Sequence, residues 1–543
     1  MTPQQTISDM HTVAFMDIGT NSIRLLVVRI HPNHSSTVLT QLKQMVRLGE
    51  GEFAEQLLQP AAIDRAVLVS QQFAALARTY GVDDIIAVAT AATREAVNQR
   101  AFVRRLRQEA ELDVRVVSGL EEARLTYLGV ASGIHLDTKQ ALFIDIGGGS
   151  TEIIIGTQHD YCYLNSLKLG AIRLATSFLA EMLGPVSPDT YAQMQRQVLH
   201  NMVHTFRELR AYRLDLAIGS SGTIENLADV AARLCLNRPR ERDDVLTHAH
   251  LHQVISTLSA LPLEERREVP GLNPARADII IAGAAILDTL MQELSMQEIR
   301  ITDRGLRDGL LVDYLLKNGH MPLLEEMSVR RRSVLQLGRA CHFHEDHAHT
   351  TARLALALFD SARQAKLHRL GPWERELLEY AALLHHIGSF LTYSNYQAHT
   401  YYLIRNAELL GFDQTEVAII AATALYHRKT LPRKKHPEFV ALNKWARHVV
   451  RILCVLLRLA ENLDRSQTSR VQHAFFDAVD KSRVFLSVHA EQDCHIEIWG
   501  VQQHVDDFEK IFHRHLEINA VAPVAALAPA YNGQSHAALM STL

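Results

Sequence analysis

The chain has 543 residues, of which 47% are hydrophobic and 21% are charged. This composition is typical of a globular protein with sizeable cores, and the length predicts about three or four domains. Lys and Arg total 56 against 60 for Asp and Glu, a formal net charge of −4. That balance excludes a chain-wide attraction to polyanions, so any anion site must be local.

Neither the cysteines nor the start of the chain indicates secretion. Five cysteines are scattered from residue 162 to residue 494 and form neither a disulfide framework nor a C-x-x-C metal pair, which favours a reducing cytoplasm. Residues 1–11 are polar and lack the apolar stretch of a signal peptide. The most apolar helical runs, 278–291 and 449–460, are too short or too charged to span a bilayer. We therefore expect a soluble, cytoplasmic protein without a membrane span.

The first 126 residues alternate strand-like and helix-like segments. Residues 13–30 predict a hairpin of two apolar strands, and residues 84–90 form an apolar run of the buried-strand type. Helical spacing covers residues 60–80, with a proline in the first turn and a glycine stop, and residues 93–110. Alternating strands and helices with hairpins predict an α/β domain with a mixed sheet over residues 1–126.

A second copy of the first hairpin follows at residues 143–156. The two stretches align without a gap, so that Asp17 matches Asp145 and Ser22 matches Ser150. In each, an apolar run leads through an acidic residue into a turn rich in glycine and hydroxyl groups, where free backbone N–H groups can form an anion-binding nest. The repeat predicts a second, duplicated α/β domain at residues 127–320, with the two domains flanking a cleft.

The character of the chain changes after the second α/β segment. Nearly every segment from residue 330 to about residue 463 has helical periodicity, which predicts an all-α domain over residues 328–470. Alternating runs at 484–488 and 495–499 predict strands in a small α+β appendage at residues 471–520. Residues 521–543 are rich in Ala, Pro, Ser and Gly, and we expect this tail to be disordered.

Paired Asp-x-Gly hairpins resemble those of the superfamily of acetate and sugar kinases, chaperone ATPases and actin, whose domains are actin-like (ribonuclease H-like). The Gly-Ser-Ser-Gly-Thr turn at 219–223 adds to the resemblance. The alternative is two ordinary hairpins with tight turns. On the superfamily interpretation, Asp17 and Asp145 would hold Mg²⁺ directly or through water, because hard cations at phosphate sites take oxygen ligands.

Two neighbouring carboxylates at the start of the helix near residue 121 are expected to differ in role. Ser118 and Glu121 fit an S-x-x-E capping box, which gives Glu121 a structural role. Glu122 points elsewhere and remains free for chemistry, although acidic residues in a first helical turn usually only complement the helix dipole.

Five motifs together resemble the exopolyphosphatase/guanosine pentaphosphate phosphohydrolase family, in order and with similar spacing from about Val13 to about Arg465. They are Asp-Ile-Gly-Thr-Asn-Ser (17–22), Ala-Thr-Ala-Ala-Thr-Arg-Glu-Ala (89–96), Ser-Gly-Leu-Glu-Glu-Ala-Arg (118–124), Asp-Ile-Gly-Gly-Gly-Ser-Thr (145–151) and Gly-Ser-Ser-Gly-Thr (219–223). The resemblance implies Mg²⁺-dependent hydrolysis of the terminal phosphoanhydride of inorganic polyphosphate, or of the 5′ end of pppGpp, by a homodimer.

The resemblance also implies roles for individual residues. Glu122, the second Glu of its motif, corresponds to the proposed base, which suits a loose transition state whose attacking water gives up its proton late. Arg94 would stabilise the negative charge that develops on the phosphate oxygens. The alternative role for Arg94 is an ordinary surface charge on an Arg-rich helix. The residues expected to bind phosphate are Asn21, Ser22, Gly147, Gly148, Gly149, Ser150, Thr151 and Gly222.

The helical domain carries a set of histidines in an order that resembles HD-type phosphohydrolases. The pair His385-His386 has histidine where a ligand carboxylate belongs, and imidazole replaces such a carboxylate poorly for Mg²⁺ or Mn²⁺. We therefore expect no tightly bound transition metal there, the alternative being an active second site. The set is His347, His385, His386, His399, His427 and Asp464.

Two local basic runs allow two interpretations, a solvated face or a track that guides a long polyanion towards the cleft. Neither run has interleaved aromatic residues for single-stranded nucleic acid, so we expect no nucleic-acid partner. The runs comprise Arg330, Arg331, Arg332, Arg428, Lys429, Arg433, Lys434 and Lys435.

These features predict a Mg²⁺-dependent exopolyphosphatase. The nearest alternative keeps the site and changes the substrate to pppGpp. Alternatives of another class are a small-molecule kinase of the same superfamily and a non-catalytic nucleotide sensor, and Glu122 in its motif disfavours both.

Overall fold

The structure is a computed structural model that describes residues 10–32, 35–180, 182–242, 244–318, 328–407, 409–428, 430–478 and 482–521. The chain divides into two compact units. Of the described residues, the first unit comprises those within 1–336 and 409–414, and the second comprises those within 337–408 and 415–543. The predicted disordered tail lies outside the described residues from residue 522 onwards.

The first sheet has five strands in the order β3-β2-β1-β4-β5. Strands β1, β2 and β3 are antiparallel neighbours, whereas β4 and β5 run parallel to β1. The strands are β1 (His11–Ile18), β2 (Ser22–Ile30), β3 (Ser36–Met45), β4 (Asp84–Ala89) and β5 (Val114–Val116). The accompanying helices are α1 (Glu52–Glu55), α2 (Pro60–Thr79), α3 (Ala91–Glu95), α4 (Gln99–Glu109) and α5 (Gly119–Ala131). The predicted hairpin at residues 13–30 and the helix at residues 60–80 are confirmed.

The predicted single helix over residues 93–110 is wrong, because the chain breaks between α3 and α4. Ala96 is extended, with ψ at 133°. The side chain of Asn98 accepts a hydrogen bond from the Leu58 N–H at 3.0 Å and donates to the Leu58 carbonyl at 2.9 Å. These hydrogen bonds to Leu58, 40 residues earlier in the chain, stabilise the break between α3 and α4.

The second sheet has six strands in the order β10-β11-β9-β6-β7-β8. From β8 inwards, the series β8-β7-β6-β9-β11 repeats the order and the strand directions of the first sheet. The predicted duplication is therefore confirmed, and β10 is an addition. The strands are β6 (Ala141–Ile146), β7 (Thr151–Gly156), β8 (Tyr161–Leu167), β9 (Leu216–Ser220), β10 (Val245–Thr247) and β11 (Glu298–Ile301).

Of the helices between residues 171 and 317, the earlier ones pack against the second sheet, and the last one packs against the first sheet. They are α6 (Ala171–Phe178), α7 (Pro188–Leu209), α8 (Ser221–Cys235), α9 (His248–Ala260), α10 (Leu263–Arg267), α11 (Ile280–Glu293) and α12 (Leu306–Lys317), with a 3₁₀ turn at Pro274–Arg276. Leu306 and Leu310 of α12 share a buried cluster with Val13 and Phe15 of β1. The domain boundaries at residues 126 and 320 stay predictions.

The chain continues with a run of helices and then a three-stranded sheet in the order β12-β13-β14. The helices are α13 (Val329–Ala340), α14 (Glu345–Gln364), α15 (Pro372–Leu384), α16 (Tyr396–Asn406), α17 (Gln414–Tyr426), α18 (Pro437–Val440) and α19 (Lys444–Asn462), with a 3₁₀ turn at Ile387–Phe390. The later elements are β12 (Val471–Ala478), β13 (Arg483–Ala490), α20 (His495–Gln502), α21 (Val505–Phe512) and β14 (His515–Val521).

The alternating run at residues 495–499 forms helix α20, so its prediction as a strand is wrong. Its buried positions, Glu497, Gly500 and Val501, recur at helical spacing, while Ile496 is 54% exposed. The carboxylate of buried Glu497 accepts the Ser466 N–H at 3.2 Å, which holds the helix against the preceding loop.

Among the described residues, no helix combines the length and the apolar character needed to cross a membrane.

Candidate active site

The turns of the two repeated hairpins open onto one cleft in the first unit. In both turns the first glycine N–H donates to the carbonyl three residues on, Gly19 to Ser22 at 3.0 Å and Gly147 to Ser150 at 2.9 Å. Of the residues predicted from the sequence, those that line this cleft are Asp17, Asn21, Ser22, Glu122, Asp145, Gly147, Gly148, Gly149, Ser150 and Gly222.

The second turn requires glycines because side chains of other segments lie very close to its backbone. A Cβ on Gly148 would lie 3.0 Å from the Thr20 side chain, and one on Gly149 would lie 2.7 Å from the ring of Phe53. Because Thr20 belongs to the first hairpin turn, the missing side chains allow the two turns to meet.

Two buried aspartates, one from each hairpin, line the cleft. Burial raises the pKa of Asp17 to about 6, with a further contribution from the charge of Asp145, while Arg24 opposes the shift. Burial also raises the pKa of Asp145, whose Oδ2 accepts a hydrogen bond from Ser220 Oγ at 2.6 Å. Asp17 Oδ1 is buried without a hydrogen-bond partner among the described residues. These oxygens fit a hard divalent cation, which would neutralise the buried charge.

Glu122 extends from the first turn of α5 into the same cleft. Its Oε2 accepts an ion-paired hydrogen bond from Arg94 Nη1 at 2.8 Å, and the same Arg94 nitrogen is 3.1 Å from the Val117 carbonyl. The Glu122 side chain is 12% exposed. Burial raises the pKa of Glu122 to about 7, although Arg94 opposes this shift. A carboxylate with this pKa can exchange a proton near neutral pH.

The neighbouring Glu121 has the structural role that its position predicts, with one difference. Ser118 Oγ accepts the Glu121 N–H at 3.1 Å, which caps α5. The Glu121 carboxylate pairs with Arg124 at 2.8 and 2.9 Å instead of returning to the cap. The two adjacent glutamates therefore face different surroundings.

Thr151 and Arg94 are not among the residues that line the cleft. The Thr151 hydroxyl donates to the Leu169 carbonyl at 2.5 Å and is fully buried, so its side chain serves the fold. Arg94 lines an adjoining pocket together with Ser150 and Lys168, and reaches the cleft through its ion pair with Glu122.

Sequence reasoning missed three charged side chains that line the cleft. Arg24 lies opposite Asp17 in the β1–β2 register, a position that the hairpin alignment could have revealed. Glu152 lies opposite Asp145 in the β6–β7 register, and burial raises its pKa well above the usual range. Arg276 follows no motif, and burial lowers its pKa to about 10.

Arg276 also explains why residue 222 is a glycine. A Cβ on Gly222 would lie 2.4 Å from the Arg276 guanidinium, so the absence of a side chain makes room for this cation. Arg276 Nε is buried without a hydrogen-bond partner among the described residues. The cleft therefore presents buried cations as well as carboxylates, as a site for a phosphate–metal complex requires.

The histidines of the helical segment are close together and largely engaged in bonds within the protein. His347 Nδ1 lies 2.7 Å from Asp464 Oδ2, and the Nδ1 atoms of His385 and His427 lie 2.6 Å from carbonyls of their own helices. Burial lowers the pKa of His386 to about 4 and that of His427 to about 3.

These histidines do not bring three ligand atoms within 4.8 Å of one another, as judged over the described residues. His399, the remaining member of the predicted set, is half-buried on α16.

The first basic run does not face solvent as a polyanion track requires, which corrects that interpretation for Arg330 and Arg332. Arg330 is 4% exposed, and its guanidinium lies 4.4 Å from the ring of Phe412. Arg332 donates to the Ser132 carbonyl at 3.2 Å, and burial lowers its pKa to about 10. Arg331 is half-buried.

The second basic run remains available to solvent. Arg433, Lys434 and Lys435 are exposed on the loop before α18. Arg428 is exposed and lies 5.0 Å from the centre of the Tyr396 ring. Lys429 lies outside the described residues.

Two duplicated mixed sheets, with matching Asp-x-Gly turns on one charged cleft, define the fold class as the actin-like α/β class that the sequence predicts. The model of the Ppx/GppA phosphatase family matches residues 26–318, and the model of Ppx/GppA phosphatase domain III matches residues 329–504. The chain belongs to the Ppx/GppA phosphatase family and is a phosphoanhydride hydrolase.

Solved structures agree with the family. An exopolyphosphatase from Cytophaga hutchinsonii is 26% identical with a TM-score of 0.53, and the match covers 57% of this chain and 98% of that one. An exopolyphosphatase-like protein is also 26% identical with a TM-score of 0.53, covering 56% of this chain and 98% of that one.

Proposed function

We propose that this protein is a Mg²⁺-dependent exopolyphosphatase, which releases the terminal phosphate of inorganic polyphosphate by attack of a water molecule. The observation that carries the proposal is Glu122, a buried carboxylate that lies beside Arg94 at the cleft onto which both hairpin turns open. The similarity to solved exopolyphosphatases supports the choice of substrate.

Glu122 orients the attacking water and takes its proton. The loose transition state of phosphoryl transfer develops little charge on the water until late, so a carboxylate with a pKa of about 7 is a sufficient base. The 2.8 Å contact with Arg94 holds Glu122 in place and puts a positive charge near the transferred group.

The hairpin turns hold the terminal phosphate between them. Asn21 and Ser22 contact it from one side, and residues 147–150 contact it from the other. Arg24 and Arg276, both on the cleft wall, attract the following phosphates of the substrate.

Asp17 and Asp145 would hold Mg²⁺, whose charge neutralises the phosphate oxygens when it is bound. The support for these ligands is the unpartnered buried Oδ1 of Asp17 and the raised pKa of both aspartates. Such oxygens leave most of the coordination sphere for water and phosphate, as Mg²⁺ prefers.

The second candidate substrate is pppGpp, with the same site and the same base. The match to the Ppx/GppA phosphatase family supports it, because both substrates would present a terminal phosphate to the same cleft. We further propose that residues 328–470 are an HD-like domain and that the protein is a cytoplasmic homodimer. We also propose that the basic loop residues Arg433, Lys434 and Lys435 attract polyphosphate.

The test is phosphate release with Mg²⁺ from long-chain polyphosphate and from pppGpp, compared as kcat/KM. A large preference for polyphosphate supports the proposal. A preference for pppGpp replaces the substrate and keeps the site. Release from neither overturns the proposal for both substrates.

A further inference from the structure

A second cluster of ligand-type side chains lies away from the cleft, on helices of the second sheet. His248 and His252 are four residues apart on α9, so both imidazoles lie on one face of that helix. Asp288 comes from the facing side of α11. None of the three lines the cleft that contains Asp17 and Asp145.

The three side chains bring their ligand atoms together. His248 Nε2 lies 2.9 Å from Asp288 Oδ1, His252 Nε2 lies 3.4 Å from the same oxygen, and the two Nε2 atoms are 3.1 Å apart. A tetrahedral Zn²⁺ with ligand bonds of about 2.0–2.1 Å separates its donor atoms by about 3.3 Å. Among the described residues, only this group brings three such atoms within 4.8 Å of one another.

The orientation of the Asp288 carboxylate is fixed by hydrogen bonds to its other oxygen. The Asp288 side chain is 2% exposed. Its Oδ2 accepts hydrogen bonds from Tyr191 OH and Gln195 Nε2, both at 3.0 Å and both on α7. These bonds fix the carboxylate and turn Oδ1 towards the histidines, as outer partners do at metal sites.

The charges at the cluster also favour a cation. The partners of Asp288 that the structure describes are two histidines, a tyrosine and an amide, so no Lys or Arg offsets this buried carboxylate. A buried carboxylate without a compensating charge is unfavourable. A divalent cation bound by Oδ1 would supply that charge.

We propose that His248, His252 and Asp288 form a binding site for Zn²⁺, or for a similar borderline cation such as Co²⁺, with a water molecule in the fourth position. Two imidazoles and one carboxylate suit Zn²⁺ and disfavour Mg²⁺. The 59% exposure of the His252 side chain leaves the fourth position open to solvent. The bound ion would connect α9 with α11 and, through Tyr191 and Gln195, with α7.

The alternative for the same three side chains is a hydrogen-bonded triad without metal, in which one imidazole donates its Nε2 proton to Asp288 Oδ1 and the other presents an unprotonated Nε2 to that N–H group. Both arrangements use the same contacts, and they differ in whether the protein binds a cation.

The experiment is titration of the untagged, chelator-treated full chain with Zn²⁺ alone, measured by equilibrium dialysis with elemental analysis. Co²⁺ is used in parallel, because its visible absorption reports tetrahedral coordination by nitrogen and oxygen. We expect one equivalent per chain and an upward shift of the Tm. The variant His252→Ala should weaken binding at least about 100-fold, and Tyr191→Phe about 10–100-fold, since it removes only an outer partner of Asp288.

Matched variants make the outcome specific. His250→Ala changes a histidine on the same helix outside the cluster, and His386→Ala tests the histidines of the second unit. Both should bind Zn²⁺ like the unchanged chain. Binding that His252→Ala leaves intact, equal loss in His250→Ala, or no stoichiometric binding would overturn the proposal. Because His252 is largely exposed, its replacement should leave the fold intact, which circular dichroism checks.

Discussion

At the scale of single residues, the two adjacent glutamates of α5 show how surroundings separate chemical roles. Glu121 pairs with Arg124 near the surface, and the hydrogen bond from that guanidinium lowers its pKa. Glu122 lies buried beside Arg94, and burial raises its pKa to about 7. One step along the helix thus turns the next carboxylate into the cleft.

Replacing Glu122 by Gln tests the proposed base, because the amide keeps the shape of the side chain and removes its basicity. We expect kcat to fall by about 10²–10⁴-fold while substrate binding is retained. Steady-state phosphate release and a binding measurement on the same protein distinguish the two effects.

The adjacent variant Glu121→Gln is the matched control for this experiment. It should keep kcat within a few-fold and change only stability, since Glu121 pairs with Arg124 away from the cleft. A Glu122→Gln enzyme with nearly unchanged kcat would contradict the assignment of the base.

At the scale of elements, the contact between α5 and α12 positions the proposed base. Glycines let the two helix backbones touch: a Cβ on Gly309 would lie 1.8 Å from the Leu125 carbonyl, and one on Gly129 would lie 2.1 Å from the Gly305 carbonyl. Since backbone atoms cannot move aside as a flexible side chain can, this contact keeps α5, and with it Glu122, at a fixed distance from α12.

The variant Gly309→Ala should destabilise the first unit by about 3 kcal/mol or more, because the added methyl group forces the two backbones apart. Chemical denaturation followed by circular dichroism measures the change in unfolding free energy. Gly184→Ala is the control, because no atom lies within 4 Å of the added methyl; it should stay within about 0.5 kcal/mol of the unchanged chain. Similar stability of both variants would mean that α12 adjusts.

A second test at this scale concerns the exposed basic loop. Replacing Arg433, Lys434 and Lys435 with Ala should raise KM for long polyphosphate about 10-fold and leave short-chain substrates nearly unchanged, because only long chains reach several weak contacts at once. Raising the salt concentration should reduce the difference between the variant and the unchanged chain.

Three other exposed cations of the second unit, Arg363, Lys366 and Arg369, provide a control of equal charge. If their replacement with Ala raises KM equally, general charge explains the effect and the loop has no special role. If KM stays the same for both triple variants, the track interpretation is wrong for the second run as well.

At the scale of the whole molecule, the second unit holds a group of buried and half-buried histidines whose neutral form is favoured by their partial or full burial. The pKa of His386 is lowered to about 4 and that of His427 to about 3, and that of His385 is also lowered. The unfolded chain binds protons at these positions near the ordinary histidine pKa of about 6.5. More protons are then bound in the unfolded state, so stability falls as pH drops below that value.

We therefore expect the second unit to lose stability between about pH 6.5 and about pH 4, by roughly 1.4 kcal/mol per pH unit for each proton taken up on unfolding. Tryptophan fluorescence reports this unit selectively, because all three tryptophans of the chain, Trp373, Trp445 and Trp499, belong to it. Denaturant titrations at several pH values give the slope.

The variant His386→Phe should reduce that slope by on the order of 1 kcal/mol per pH unit, since it removes one of the protons taken up. The exposed His448→Gln on α19 should leave it unchanged. An unaltered slope in His386→Phe would mean that other groups dominate the acid response.

The sequence by itself determined the features that depend on residues close to one another in the chain. The aligned Asp-x-Gly turns predicted both hairpins and the duplicated sheets, and Ser118 predicted the N-terminal cap of α5. Such features follow from backbone preferences and side-chain bonds within a few positions, which a single stretch of sequence contains.

Only the tertiary structure decided the features that join distant segments. Asn98 bonds to Leu58 and thereby interrupts a predicted helix. The Arg276 guanidinium lies in the cleft directly beside Gly222, and the Arg330 guanidinium lies over the ring of Phe412. Asp288 meets His248 across 40 residues of chain. The free energy of these contacts comes from packing and desolvation between remote elements, which no local pattern of residues records.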